Sequence, residues 1–99
     1  MVKVSKFDGA NYLKTPIAIA TYLTEAFETN DAAYICAALD TVARAKGMGS
    51  IAKATGLSRE SLYKTFKETA KPEFETVRKV IGSFGVKLVV EPIEEQKIA

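Results

Sequence analysis

Apolar residues recur at helical spacing in successive runs along the chain, and only one stretch near the end changes period. Thr15-Pro16 reads as a helix start, a capping hydroxyl followed by proline at the first helical position. Ile19, Tyr22, Leu23, Ala26 and Phe27 then repeat at three- and four-residue intervals, which predicts a helix with one buried face. Asn30 or Asp31 caps a second helix, whose stripe is Ile35, Ala38, Leu39 and Val42 and whose end is Gly47. A short third helix is expected over about Ser50 to Ala54. Thr55-Gly56-Leu57 turns the chain, and Ser58 caps a fourth helix reaching about Glu68. Beyond the break at Ala70-Lys71-Pro72, the residues Phe74, Val77, Val80, Ile81 and Phe84 mark the buried stripe of a fifth, closed by Gly85.

The period then shifts. Val86 to Glu91 is β-branched, roughly alternating and stopped by Pro92, which predicts one strand over 86–91, followed by a polar, frayed tail. A solitary strand leaves its backbone donors and acceptors without a partner edge. Pairing with its twin across a two-fold axis satisfies both copies and makes Val86, Leu88 and Val90 dimer contacts. Pairing with the weak N-terminal run Val2-Lys3-Val4 is the other solution. Ninety-nine residues with 47% apolar content suit one domain over 1–99 with one modest core.

Residues 48–67 hold the most informative spacing. Ala52, Gly56 and Leu62 stand where a helix-turn-helix needs a small residue, a left-handed turn residue and a buried aliphatic. In the fourth helix Leu62 and Phe66 point inward, so Arg59, Glu60, Tyr63, Lys64 and Lys67 share the opposite face. Ser58, Arg59, Glu60 and Ser61 form its N-terminal turn, where the dipole and free amides favour a phosphate or a base edge. Arg59 suits bidentate reading of guanine. Tyr63 suits a thymine methyl or a phosphate, Lys64 and Lys67 suit phosphates, and Glu60 suits cytosine or acts only by repelling wrong placements. Ser50 and Lys53 on the third helix would face the DNA backbone.

Charge sharpens this reading. The net charge is only +2, but Arg44, Lys46, Lys53, Arg59, Lys64, Lys67 and Lys71 face two acids, Glu60 and Glu68, between residues 44 and 71. That segment carries +5 and the remainder −3, so a basic pole coincides with the helix-turn-helix. Such a pole fits a double-stranded DNA partner; the plainer alternative is a solvated basic face.

Composition removes other classes. The chain has no histidine and one cysteine, Cys36, which excludes His/Cys metal clusters, histidine-based triads and disulfide frameworks. Cys36 lies in an alanine-rich helical run and reads as a small buried thiol. No acid–base or nucleophile set is present, so neither enzyme activity nor a cofactor is expected. Nothing resembles a signal peptide or a membrane-spanning run, which predicts a soluble, cytoplasmic protein with no membrane partner.

The chain resembles the addiction-module antidote proteins, small bacterial and prophage antitoxins of the Xre/Cro-like helix-turn-helix class. The resemblance runs through Phe7-Asp8, Tyr12-Leu13, Tyr22-Leu23 and Ala38-Leu39, then Ala43-Arg44-Ala45-Lys46-Gly47-Met48 and Ile51-Ala52. Its most specific part is Thr55-Gly56-Leu57-Ser58-Arg59-Glu60 with Leu62-Tyr63-Lys64. It continues through Pro72, Phe74, Thr76-Val77 and Val80 to Phe84-Gly85-Val86-Lys87-Leu88, some four fifths of the chain. The chain departs from the pattern at Phe84, where leucine is usual. It departs again at Lys67-Glu68-Thr69-Ala70-Lys71, which replaces a serine-rich, glycine–asparagine approach to the proline.

With the elements read above, the resemblance gives the fold expected here: a mainly α, five-helix, lambda-repressor-like domain, with the C-terminal strand pairing across a dimer as the unpaired edge requires. It implies a homodimer that represses its own operon and binds a small basic toxin of the ribonuclease-like RelE/ParE type. The rivals are a stand-alone prophage-type Xre regulator without a toxin, and an interaction protein that keeps the helix-turn-helix only as a packing motif. If strand 86–91 closes the dimer, Leu88→Pro is expected to leave monomers by light scattering; a variant that stays dimeric puts the interface elsewhere.

Overall fold

A computed structural model describes residues 13–67 and 71–93. Its described residues form five helices in chain order: α1 (Pro16–Phe27), α2 (Ala32–Lys46), α3 (Met48–Thr55), α4 (Arg59–Thr65) and α5 (Phe74–Ser83). Each of the first two starts where its capping residue dictates. Thr15 Oγ1 accepts from the Ala18 amide at 3.2 Å, with Pro16 opening α1. Asp31 Oδ1 accepts from the Ala33 and Tyr34 amides at 3.0 and 3.2 Å. Asp31 is therefore the cap of α2, and Asn30 supplies the left-handed residue (φ 57°) that redirects the chain between the helices.

The helices pack as α1 on α2, α2 on α3, and α3 on both α4 and α5. Ile19, Leu23 and Ala26 of α1 meet Ala38, Leu39, Val42 and Ala43 of α2 in one core. Met48 and Ile51 of α3 extend that core to Leu62, Phe66, Val80, Ile81 and Phe84, and Leu13 joins it just ahead of α1. Every buried side chain among the described residues is apolar. No described helix is long and apolar enough to cross a membrane.

The structure departs from the sequence expectation at four places. The third helix starts at Met48 and runs to Thr55, wider than the expected Ser50 to Ala54, because Gly47 ends α2 and opens α3 at once. The stripe of α5 reaches the core only from Val77 onward, because Phe74 opens the helix at its first position and is 69% exposed. The fourth helix ends at Thr65 instead of near Glu68. Phe66, at φ −110°, turns into the core, and the Lys67 amide closes back on Lys64 O at 3.5 Å. No strand forms among the described residues: 86–91 makes no ladder within the chain, because no described segment offers it a partner edge. The alternative edge Val2-Lys3-Val4 lies outside the described residues.

Leu62, fully buried, is the contact through which α4 is held on the rest of the molecule. Leu62→Ala is expected to lower stability by about 2–5 kcal/mol, the usual range for deleting a buried leucine side chain. Urea unfolding followed by circular dichroism measures it, and a loss below about 1 kcal/mol would show that the site collapses around the cavity.

Candidate nucleic-acid interface

α3 and α4 form a pair of short helices joined by a three-residue turn, and each joint has a local cause. Gly56 caps α3 at φ 81°, ψ 5°, a left-handed conformation in which a Cβ is strained, and its amide bonds to Ala52 O at 2.9 Å. Thr55 secures the same turn twice. Its hydroxyl donates to Ile51 O at 2.8 Å and accepts from the Leu57 amide at 3.2 Å. Ser58 Oγ then accepts from the Ser61 amide at 2.9 Å, while the Leu62 amide donates to Ser58 O at 3.0 Å to start α4. Ala52 is half-buried against the core.

With Leu62 and Phe66 turned inward, α4 presents Arg59, Glu60, Ser61, Tyr63 and Lys64 to solvent. Ser50 and Lys53 of α3 are exposed, as is the cap Ser58. Lys67 is exposed too, but it lies past the end of α4 and so leaves the helical register of Arg59 and Lys64. Glu60 and Lys64, one turn apart, approach at 3.8 Å with side chains 82% and 69% exposed, a loose pair that an incoming anion can exchange. A shallow groove beside this face is lined by Ser61, Lys64, Thr65, Lys71 and the start of α5. Of the twelve residues assigned above, Val86, Leu88 and Val90 do not join this surface. Val86 is half-buried beside the core, and Leu88 and Val90 are exposed on the segment that follows α5.

One arrangement was not visible in the sequence. Arg44, in the last turn of α2, donates from Nε to Asp40 Oδ2 at 2.7 Å, and its guanidinium stands 5.2 Å from the centroid of the Tyr63 ring. Asp40 holds the guanidinium above the ordinary arginine range, by its hydrogen bond first and its charge second. The Asp40–Arg44 spacing signals an ion pair one turn apart, but the reach across to α4 depends on how the helices cross. Elsewhere, Cys36 is half-buried, and burial pushes its thiol upward, away from thiolate.

The model of the probable addiction module antidote proteins matches residues 3–92. The chain belongs to this antidote family. An uncharacterized protein of Haemophilus influenzae is 36% identical to the chain over 89 residues, covering 90% of this chain and 92% of the relative. No solved structure matches.

Proposed function

We propose that this antidote-family chain is a sequence-specific DNA-binding antitoxin of a type II toxin–antitoxin module. Acting as a dimer, it represses its own operon and neutralises a RelE/ParE-like toxin. The observation that carries DNA binding is the α3–turn–α4 unit, with Gly56 left-handed and Leu62 buried, facing solvent with Arg59, Lys64 and Lys53. That face belongs to the segment carrying +5, while the rest of the chain carries −3. In this reading α4 enters the major groove, Arg59 reads a guanine edge, and Lys64, Lys67, Lys53 and Ser50 hold phosphates. Dimerisation follows from the need for two recognition helices about one DNA turn apart, and the segment at 86–91 is its proposed seam. Family membership supports the toxin partner. A stand-alone regulator of the same fold is the rival reading.

Binding to duplex DNA from upstream of its own coding sequence is expected to fall steeply as salt rises, through counterion release. Arg59→Ala should cost about 1–3 kcal/mol there and relax preference at one base step, whereas Lys64→Ala should weaken all sequences and lower the salt slope by about 1. Fluorescence anisotropy at several salt concentrations reads both, and an Arg59→Ala chain with unchanged affinity and preference refutes the assigned face. For the toxin, co-expression with the adjacent gene product is expected to restore growth that the product alone arrests. A neighbour that encodes no small basic protein decides for the stand-alone regulator.

A further inference from the structure

Tyr63 is the one large ring on the outer face of α4, and it is 37% exposed. Part of its cover is Arg44, whose guanidinium lies over the ring at 5.2 Å. Arg44 is itself anchored twice over. Its backbone belongs to the last turns of α2, where Leu39, Val42 and Ala43 are locked in the core. Its Nε is committed to Asp40 at 2.7 Å, which restrains the guanidinium, while the side chain stays 54% exposed. A ring held by a fixed cation has lost most of its rotamer freedom before any ligand arrives, so less ordering is required on binding.

From this geometry we infer that Arg44, held by Asp40, is a positioning residue for Tyr63: it sets the ring on the DNA-facing surface of α4 and thereby contributes to base preference without touching a base. The inference rests on the DNA-binding reading above. It makes α2 part of the recognition apparatus through a single side-chain tie, and it gives a role to an arginine and an aspartate that lie outside the helix pair. Because the Arg44 side chain is 54% exposed, a phosphate contact is its simpler alternative use, and the two uses have different signatures. A phosphate contact acts on all sequences alike and adds to the effect of Tyr63. A positioning role acts through Tyr63 and vanishes when the ring is gone.

The test takes the duplex that the wild-type chain enriches from a randomised library, and measures affinity and per-position preference for Arg44→Ala, Asp40→Asn, Tyr63→Ala, Tyr63→Phe and the Arg44→Ala/Tyr63→Ala pair. Arg44→Ala is expected to lose about two- to fivefold in affinity, the scale of an exposed cation–π contact. It should flatten preference at the same base step as Tyr63→Ala. The double variant should bind no worse than Tyr63→Ala alone, and Asp40→Asn should reproduce the Arg44→Ala preference in weaker form. Tyr63→Phe keeps the ring face, so adding Arg44→Ala to it, as a further double variant, should still lower affinity. Additive losses with unchanged preference and a lower salt slope overturn the proposal in favour of a phosphate contact, as does an Arg44→Ala chain that binds like wild type. Thermal unfolding checks that each variant is folded; if Arg44→Ala is not, Asp40→Asn carries the comparison. A wild-type chain that enriches no duplex refutes the DNA-binding reading itself, whereas enrichment with additive variants refutes only the role of Arg44.

Discussion

The whole architecture hangs on α3, a helix of eight residues clamped between two glycines with positive φ. Gly47, at φ 102°, ends α2 and starts α3 in a single residue, and Gly56, at φ 81°, ends α3 and releases the chain toward α4. So short a helix has no stability of its own. It persists because Met48 and Ile51 are buried among residues of α2, α4 and α5 at once. The consequence reaches the surface. The direction in which α4 leaves is fixed by a backbone conformation at Gly56 and by the burial of Leu62, neither of which presents a side chain on the outward face of α4. A β-branched residue at Gly56 would strain the turn and misdirect the outward face of α4 while leaving its chemistry intact.

The electrostatics of that face are arranged so that its cations are available. Both ion pairs on or beside it are exposed and internal to one helix, Glu60 with Lys64 on α4 and Asp40 with Arg44 on α2. Solvent-exposed pairs of this kind contribute little to folding, so they are not needed to hold the fold. They differ in tightness, 3.8 Å against 2.7 Å. The loose pair leaves Lys64 free to exchange its partner for a phosphate, whereas the tight one keeps Arg44 in place over Tyr63. Availability and fixation are therefore divided between two cations of the same basic segment.

Local signals carried most of the fold into the sequence, and contacts between elements carried the rest out of reach. Thr15, Asp31 and Ser58 announce their helices because a cap is a bond within three residues. The stripes of α1 and α2 are legible because periodicity alone selects the buried face. Phe74 obeys the same period and is exposed, since the pattern says which face is apolar but not how far along the helix the neighbouring surface extends. The early end of α4 is similar. Lys67 keeps the helical spacing in the sequence, but burial of Phe66 turns the backbone out of the helix first. Of the candidate site, the outward residues of α4 were readable from the wheel, while the Arg44–Tyr63 stack was not, because it joins residues nineteen apart through the crossing of two helices.

The segment after α5 leaves the chain with a second deficit besides the small size of α4. Val89, Val90 and Ile93 are 65, 98 and 64% exposed, and no backbone hydrogen bond among the described residues involves 86–93. Beneath it, Leu23, Phe27 and Ile81 line a groove of which the segment itself is one wall. Exposed β-branched residues with unsatisfied backbone are the features that a pairing edge would remove from water. A seven-residue helix, for its part, reaches too few base edges to select one site among many. In the proposed dimer, a single event answers both. The added edge satisfies the segment's backbone, and the two-fold axis that creates it also delivers the second recognition helix. The self-association surface and the DNA surface then lie on different elements, α5 and its continuation against α3 and α4. The two surfaces are nevertheless tied together, because Ile51 of α3 and Val80 of α5 lie in one core.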